Sequence, residues 1–341
     1  MPNKDSALIP LGIVQEYTRK YPKIWDTVEK FRDDPVLSKQ WDKRRCYIPI
    51  AAGIAVCEFL RMPKSAIYMV PALAAWRQSK EVYTFDQDLA EALYEQASDT
   101  KIPCDVLMRL PFYCVYIDSG KYRFFAHLEN DVNDGRWELR FVRICENGEP
   151  CASYLHLGDF TLEESIAAGL NESFYQMEHI GENRDAAAML ERMIGENSSR
   201  NGYEDVLDRW KLSEMLQLVL YICADNADIV QPDENKKTYR ERKPGETPSE
   251  VKDKYREVRK WDTGYYIGNS LRKERSYRSD AGKNPYQGGS KRPHMRRGHW
   301  HHFWKGKEGN KELVLHWVLP IFVNGDENGD EDRPVRITPV K

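Results

Sequence analysis

The sequence lacks the cysteine spacing of a metal-binding or disulfide-rich protein. Its seven cysteines are scattered without a single CxxC pair, which excludes the ligand spacing of zinc ribbons and fingers. An odd number also cannot form a complete set of disulfides. Several lie in apolar runs such as "IAVCEF" and "LYICAD", where cysteine acts as a small hydrophobe. We therefore expect reduced thiols and a cytoplasmic protein.

Long apolar segments are also missing. The first ten residues, "MPNKDSALIP", contain no apolar signal core. The longest apolar run, "IPIAAGIAVCEFL", has 13 residues and includes Glu58, whereas a membrane-spanning helix takes about 20 apolar residues. Neither a signal peptide nor a transmembrane helix is expected.

A large net charge is absent too, but the charge is unevenly distributed. The formal net charge of the 341 residues is −3. Between Lys236 and Lys307 there are 21 Lys and Arg against eight Asp and Glu, so this segment carries +13 and the remainder −16. A basic segment on an acidic body favours a polyanionic partner such as RNA, although an internal docking surface or a solvated linker has the same composition.

The chain does contain enough apolar mass for a sizeable core: 41% of the residues are hydrophobic, and there are nine Trp and 19 Tyr. The first hundred residues have helical spacing, for example Ile24, Trp25, Val28 and Phe31. In "FDQDLAEALYEQA" we expect Asp86 to cap a helix that buries Leu89 and Leu93.

The spacing then changes to the two-residue period of strands. "FYCVYID", "YRFFAHLE", "RWELRFVRI" and "CASYLHL" predict an antiparallel meander of about four strands, with turns at Asp134-Gly135 and Asn147-Gly148. The aromatics of "PFYCVYIDSGKYRFFAHLE" indicate either strands covered on both faces or a groove or sheet edge for a peptide. "TLEES" predicts a capping box of Thr161 and Glu164, and helices follow through "AAAMLERMIG" and "YEDVLDRWKLSEMLQLVLYICA".

The last third of the chain alternates between loose and ordered stretches. "HMRRGHWHHFWKG", "KEGNK" and "ELVLHWVLPIFVN" predict a terminal hairpin. The predicted fold class is α+β: N-terminal helices packed on a central antiparallel sheet, further helices and a C-terminal β-hairpin unit. The predicted divisions are a helical and sheet body at 1–231, a basic flexible connector at 232–260, a basic hairpin unit at 261–324 and an acidic tail at 325–341.

Five of the eight histidines fall between His294 and His316, most of them in "RRGHWHHFW". One hypothesis is a metal site, because His299 and His301 share a strand face and His316 could add a third ligand. Without a cysteine or carboxylate among them the ligand set is incomplete, so we expect no metal and no other cofactor. A second hypothesis is ribonuclease chemistry, in which His299 and His301 act as acid and base and Arg297 holds the phosphate.

A third hypothesis is binding of single-stranded RNA. Arg296, Arg297, Lys305 and Lys307 would neutralise phosphates, and Trp300, His302 and Trp304 would stack on bases. The alternative is that these residues have no binding or catalytic role and that the large aromatics at alternating positions fill a core. Phe303 and Trp317 fit this alternative best. By strand alternation Trp300 and Trp304 share one face, opposite His299, His301 and Phe303. The pattern favours a basic-aromatic surface over a catalytic centre.

Six stretches in a fixed order carry a family resemblance. They are "IPCDVLMRLPFYCVYID", "FFAHLENDVNDGRWELR", "LHLGDFTLEESI", "LYICADNADI", "WDTGYYIGNSLR" and "RPHMRRGHWHHFWKG" with "LVLHWVLPIFVN". Together they resemble the type V-A anti-CRISPR inhibitors of the VA-two kind and their plasmid and phage relatives, from about Tyr21 to Asn324.

The resemblance implies a function and partners, but no active-site residues. It implies suppression of the type V-A Cas effector in the host bacterial cell, through recognition of the nascent N-terminal peptide of the effector and loss of its messenger RNA. The implied partners are that peptide and, beside it, the ribosome or the mRNA, with no membrane. We therefore expect a non-enzymatic adaptor, with the ribonuclease hypothesis as its alternative.

Overall fold

The computed structural model of the chain describes residues 8–96, 101–145, 148–166, 202–231, 258–268, 271–272, 294–307 and 311–323. Three sequence-based predictions lie outside the described residues: the helix of "AAAMLERMIG", the acidic tail, and the connector up to residue 257.

The helices of the described part are α1 Leu8–Lys20, α2 Ile24–Arg32, α3 Ile50–Phe59, α4 Ala66–Ser79, α5 Gln87–Tyr94 and α6 Gly202–Cys223, with 3-10 turns at Leu37–Lys39 and Cys104–Arg109. None of these helices combines the length and apolar character needed to cross a bilayer.

The strands of the central sheet are β1 Glu81–Phe85, β2 Cys114–Asp118, β3 Arg123–Asn130, β4 Trp137–Ile144, β5 Pro150–Leu157, β6 Ile229–Val230 and β7 Arg259–Thr263. Those of the C-terminal hairpin are β8 His294–Arg296, β9 His299–Lys305, β10 Glu312–Val318 and β11 Ile321–Val323.

The central sheet has seven strands in the order β5-β4-β3-β2-β1-β7-β6. The predicted meander is confirmed, because β2 to β5 pair antiparallel in sequence order. The sheet extends beyond the meander through β1, which pairs parallel with both β2 and β7. The α+β prediction is therefore confirmed, in a sheet that is mixed rather than purely antiparallel.

Both faces of this sheet are covered. On one face α1 to α4 pack against the sheet, where Trp76 meets Phe125 edge to face. On the other face α5, α6 and the hairpin share one core with Phe124 of β3. β2 is buried along its whole length and β3 at all residues but Arg123. The aromatics of "PFYCVYIDSGKYRFFAHLE" therefore lie mostly in the core, and these two inner strands offer no peptide groove.

Local sequence signals place the elements as expected. The Asp86 carboxylate accepts the N–H groups of Asp88 and Leu89 at the start of α5. The capping box is also present: the Thr161 N–H donates to Glu164 Oε2 at 2.7 Å, and the Glu164 N–H donates to Thr161 Oγ1 at 3.3 Å. Gly135 has φ +75°, the left-handed conformation that the turn between β3 and β4 requires.

The prediction that all cysteines are reduced is wrong for one pair. Cys145 and Cys151, at the ends of β4 and β5, form a disulfide with their Cα atoms 5.9 Å apart. The cause is the short β4–β5 turn, which brings the two ends within disulfide reach. The other five cysteines are free and buried, as their apolar sequence context predicts.

The described strands after residue 257 are built into the body. The predicted boundary between residues 260 and 261 falls inside β7, which pairs with β1 and stacks Trp261 on Tyr83 at 6.1 Å. Trp300 and Trp317 of the hairpin belong to the same core as α6. Separate folding of the unit at 261–324 stays a prediction, and limited proteolysis near Lys243 tests it.

Candidate interaction surface on the terminal hairpin

The predicted terminal hairpin is present and consists of two strand pairs. β9 and β10 pair antiparallel from His299↔Val318 to Lys305↔Glu312, and β8 and β11 continue in the same register to His294↔Val323. The ladder is interrupted at Pro320, which has no N–H to donate. Opposite this point a Cβ on Gly298 would lie 2.5 Å from Trp317 Cζ2, so only glycine permits this approach of strand and indole.

Two residues after α6 hold the hairpin in place. Asp225 N–H donates to the Leu315 carbonyl and its carboxylate accepts the Leu315 N–H, both at 2.9 Å. The side-chain amide of Asn226 accepts the Trp317 N–H at 2.9 Å and donates to the Trp317 carbonyl at 2.8 Å. Arg109 also donates to the Leu313 carbonyl and pairs with Asp225 at 3.0 Å. These contacts satisfy the outer edge of β10 and fix the hairpin against α6.

Trp300 belongs to the core and not to the exposed surface. It is 6% exposed, its Nε1 donates to Gln217 Oε1 of α6 at 2.5 Å, and its ring lies 5.1 Å from that of Trp317. This corrects the sequence-based placement of Trp300 on an RNA-facing side, because no base can reach the ring. The cause is α6, which the strand pattern alone could not place over this end of β9.

Four of the predicted residues are exposed, and we call them together the basic-aromatic surface: Arg297, His302, Trp304 and Lys305. By strand alternation His302 and Trp304 lie on one face of β9 and Lys305 on the other. Trp304 is 57% exposed. The register puts it on the same face as Trp300, opposite His299, His301 and Phe303, as predicted. Lys307 beyond β9 is exposed as well, whereas the side chain of Arg296 lies outside the described part of the structure.

The opposite face of β9 carries His299 and His301. His301 lies directly across from His316, and the ring of Phe303 contacts both, at 5.6 Å and 5.3 Å. Neighbouring His299 is exposed, and its Nδ1 lies 3.4 Å from the Arg297 carbonyl oxygen. Within the described residues, no three His, Cys, Asp or Glu side chains are arranged to hold a metal ion. The arrangement provides accessible imidazoles beside an aromatic ring.

A buried polar group in the body was not predicted from the sequence. Glu129 accepts the Ile50 N–H at 2.7 Å and so caps α3 from the sheet. Burial raises the pKa of Glu129 to about 8 and lowers the pKa of neighbouring His127 to about 4. Arg140 pairs with Glu138 at 2.5 Å beside them. The group lies under the N-terminal helices and therefore has a structural role in attaching α3.

Comparison with known proteins places this architecture in a family. The model of the AcrVA2-like family, described as the anti-CRISPR type V subtype A2 family, matches residues 83–325. The protein FinQ of Escherichia coli is 23% identical over 309 residues, which cover 83% of each chain. The crystal structure of AcrVA2 superposes with a TM-score of 0.56 at 17% identity, over 92% of this chain and 98% of that one.

The matched residues run from β1 through the meander and α6 to the terminal hairpin, so they include every element that builds and positions the basic-aromatic surface. The structural likeness, at its low identity, supports the fold. The family match confirms the resemblance inferred from the sequence: this chain belongs to the AcrVA2-like anti-CRISPR family of type V subtype A2.

Proposed function

We propose that the protein suppresses production of the type V-A Cas effector by recognising the nascent N-terminal peptide of the effector and causing loss of its mRNA. It would act in the cytoplasm of the host bacterium, as a non-enzymatic adaptor. Membership of the anti-CRISPR family supports the general activity. The observation that supports the RNA-directed part is that Trp304, Arg297, Lys305 and Lys307 are all exposed on or beside one strand of a hairpin that is held against α6.

In this proposal the positively and negatively charged regions of the chain have opposite effects on RNA. Cationic side chains on the hairpin attract phosphate, and an exposed indole stacks on a base, worth about 1–3 kcal/mol. The rest of the chain is acidic, at −16 outside residues 236–307, and so repels RNA. RNA is therefore directed to the basic-aromatic surface.

The RNA-binding part is tested by the salt dependence of binding to single-stranded RNA. Arg297→Ala should weaken binding and flatten the slope of log K against log salt by about one. Trp304→Ala should weaken binding and leave the slope unchanged, because stacking releases no counterion. Lys64→Ala, at an exposed cation in the turn between α3 and α4, is the matched control and should have no effect. If all three variants bind as the wild type does, the surface does not bind RNA.

Peptide recognition is tested by pull-down with N-terminal fragments of the effector. The adaptor hypothesis predicts that the purified protein retains at least one fragment at low and at moderate salt. Failure to retain any fragment under both conditions contradicts it.

The alternative function is direct cleavage of the mRNA. The observation that favours it is that His299 and His301 share one face beside Arg297, with His316 across the ladder. Histidine can exchange protons near neutral pH and so serve as acid and base. Purified protein incubated with the effector mRNA without ribosomes separates the two functions. Cleavage that disappears in His299→Ala or His301→Ala would identify the protein as a ribonuclease and contradict the adaptor hypothesis.

A further inference from the structure

The outer edge of β9 carries backbone groups without a partner in the described part of the chain. On β10 the backbone of Leu313, Leu315 and Trp317 points away from β9, toward Arg109, Asp225 and Asn226. In an antiparallel pair, directly opposite residues point their N–H and C=O groups either both inward or both outward.

The register pairs those three β10 residues with Trp304, His302 and Trp300. Their N–H and C=O groups therefore point outward from β9. No hydrogen bond from another described residue reaches them. Within the described residues, the outer edge of the seven-residue strand His299–Lys305 is therefore unpaired, and it lies beside the exposed side chains of the basic-aromatic surface.

Contacts from other described residues reach parts of the other sheet edges. The outer edge of β10 is held by Asp225 and Asn226. On β5 the outward carbonyl of His156 accepts the Ser165 hydroxyl at 2.6 Å. At the far side of the central sheet β6 has two residues. Proteins usually blunt or cover edge strands because a free edge pairs with other chains. Among the described strands, β9 therefore has an edge that can receive an added strand, and this edge lies beside exposed cationic and aromatic side chains.

We propose that β9 binds an extended peptide by strand addition, with Trp300, His302 and Trp304 exchanging backbone hydrogen bonds with it. The inference rests on the proposed function and assigns its peptide site: the occupant is a carboxylate-bearing segment of the N-terminal part of the effector. Main-chain pairing supplies affinity in this binding mode, and alternate side chains supply specificity.

Charge selects this occupant over a second copy of the chain. Arg297, Lys305 and Lys307 are exposed along and beside β9, and the strand itself contains no acidic residue. Pairing β9 with β9 of a second copy would place like charges on both edges, which is unfavourable. A peptide with Asp or Glu has the complementary sign. Its apolar side chains would contact Trp304 on one face and Phe303, 37% exposed, on the other.

A matched pair of substitutions at His302 separates the backbone edge from the side chain. His302→Pro removes an outward N–H and leaves the bonds to β10 intact, which edge strands tolerate. His302→Ala removes the same imidazole and keeps the N–H. The probes are overlapping short peptides that tile the N-terminal part of the effector, measured by fluorescence anisotropy with the full-length protein. We expect a carboxylate-bearing peptide to bind about tenfold more weakly to His302→Pro and within about twofold of wild type to His302→Ala.

Thermal unfolding checks that the proline variant is folded. If it is not, Trp304→Pro with Trp304→Ala provides a second pair, because the Trp304 N–H also points outward and its side chain is exposed. Equal loss in the proline and alanine variants overturns strand addition in favour of side-chain recognition. If both proline variants still bind the peptide, the peptide binds elsewhere on the protein. The proposed function is then unaffected, and only the strand-addition site is wrong.

Absence of binding by the wild type removes peptide recognition itself, and with it this inference. Analytical ultracentrifugation tests whether a second copy of the chain pairs with this edge instead. A wild-type dimer that His302→Pro converts to a monomer would identify the occupant as a second copy and overturn the assignment to the effector. A monomer in both, together with the tenfold loss, supports it.

Discussion

Trp300 offers the most direct check on how the hairpin is attached. Trp300→Ala removes a side chain that is 6% exposed and lies in van der Waals range of Trp317. It also removes the donor that Gln217 Oε1 accepts at 2.5 Å. Gln217 is fully buried, and its Nε2 already lacks a partner in the described residues. The substitution therefore leaves a cavity and an unsatisfied amide together.

The two effects can be estimated separately. Truncating a buried tryptophan to alanine costs about 3–5 kcal/mol. Trp300→Phe keeps most of the ring and loses only the donor, which leaves a buried acceptor unsatisfied and costs about 1–3 kcal/mol. For a chain of this size each kcal/mol lowers the melting temperature by about 2 °C. We expect a decrease of about 6–10 °C for Trp300→Ala and about 2–6 °C for Trp300→Phe.

Trp304→Ala is the control, because Trp304 lies on the same strand face and is 57% exposed. Scanning calorimetry should place its melting temperature within about 1 °C of wild type, as for surface substitutions. Equal destabilisation by Trp300→Ala and Trp304→Ala would refute the argument, because it would mean that both indoles are packed. A harmless Trp300→Ala would refute it as well, because the hairpin would then not depend on α6.

Three further predictions concern the attachment and the body. Asn226→Ala should cost about 1–3 kcal/mol and raise amide exchange selectively in β10, since the Trp317 backbone loses both partners. Glu129→Gln should become progressively more stable than wild type as pH rises from about 4.5 to about 8. In the folded protein the pKa of Glu129 is about 8, so its carboxyl group stays protonated across this window. In the unfolded chain the pKa has its ordinary value of 4.5, so the same group is ionised and the wild type loses stability as pH rises. Urea unfolding at several pH values measures this difference, and a pH-independent difference contradicts it. Cys145→Ser should cost about 2 kcal/mol in the absence of reductant, because the Cys145–Cys151 bridge closes a short loop, and the variant should match wild type once reductant is added.

Much of the local structure could be predicted from the sequence because the signals are local. The Asp86 cap, the box of Thr161 and Glu164, the meander and the terminal hairpin depend on residues a few positions apart. β1 and β7 were not predicted. Each has five residues, and their pairing with each other cannot be read from local sequence because 173 positions separate Phe85 from Val258.

The candidate site was predicted in part for the same reason. Strand alternation placed Trp300 and Trp304 on one face correctly. Alternation cannot say how far along that face a helix extends, and α6 covers Trp300 while leaving Trp304 exposed. The roles of Asp225 and Asn226 were equally hidden, because "CADNAD" resembles an ordinary helix end until β10 is placed beside it. The free edge of β9 follows only from knowing which backbone groups β10 has already paired.

The central claim, that the peptide of the nascent effector is the signal for loss of its mRNA, is tested most directly by a frameshift pair. Two effector messages are expressed with this protein; in one, a single-nucleotide insertion after the start codon and a compensating deletion farther on change the N-terminal peptide while leaving the RNA almost unchanged. The measurement is the steady-state level of each mRNA with and without the protein. The account predicts loss of the message with the native peptide and none for the frameshifted message. Equal loss of both would contradict it, because the signal would then be in the RNA.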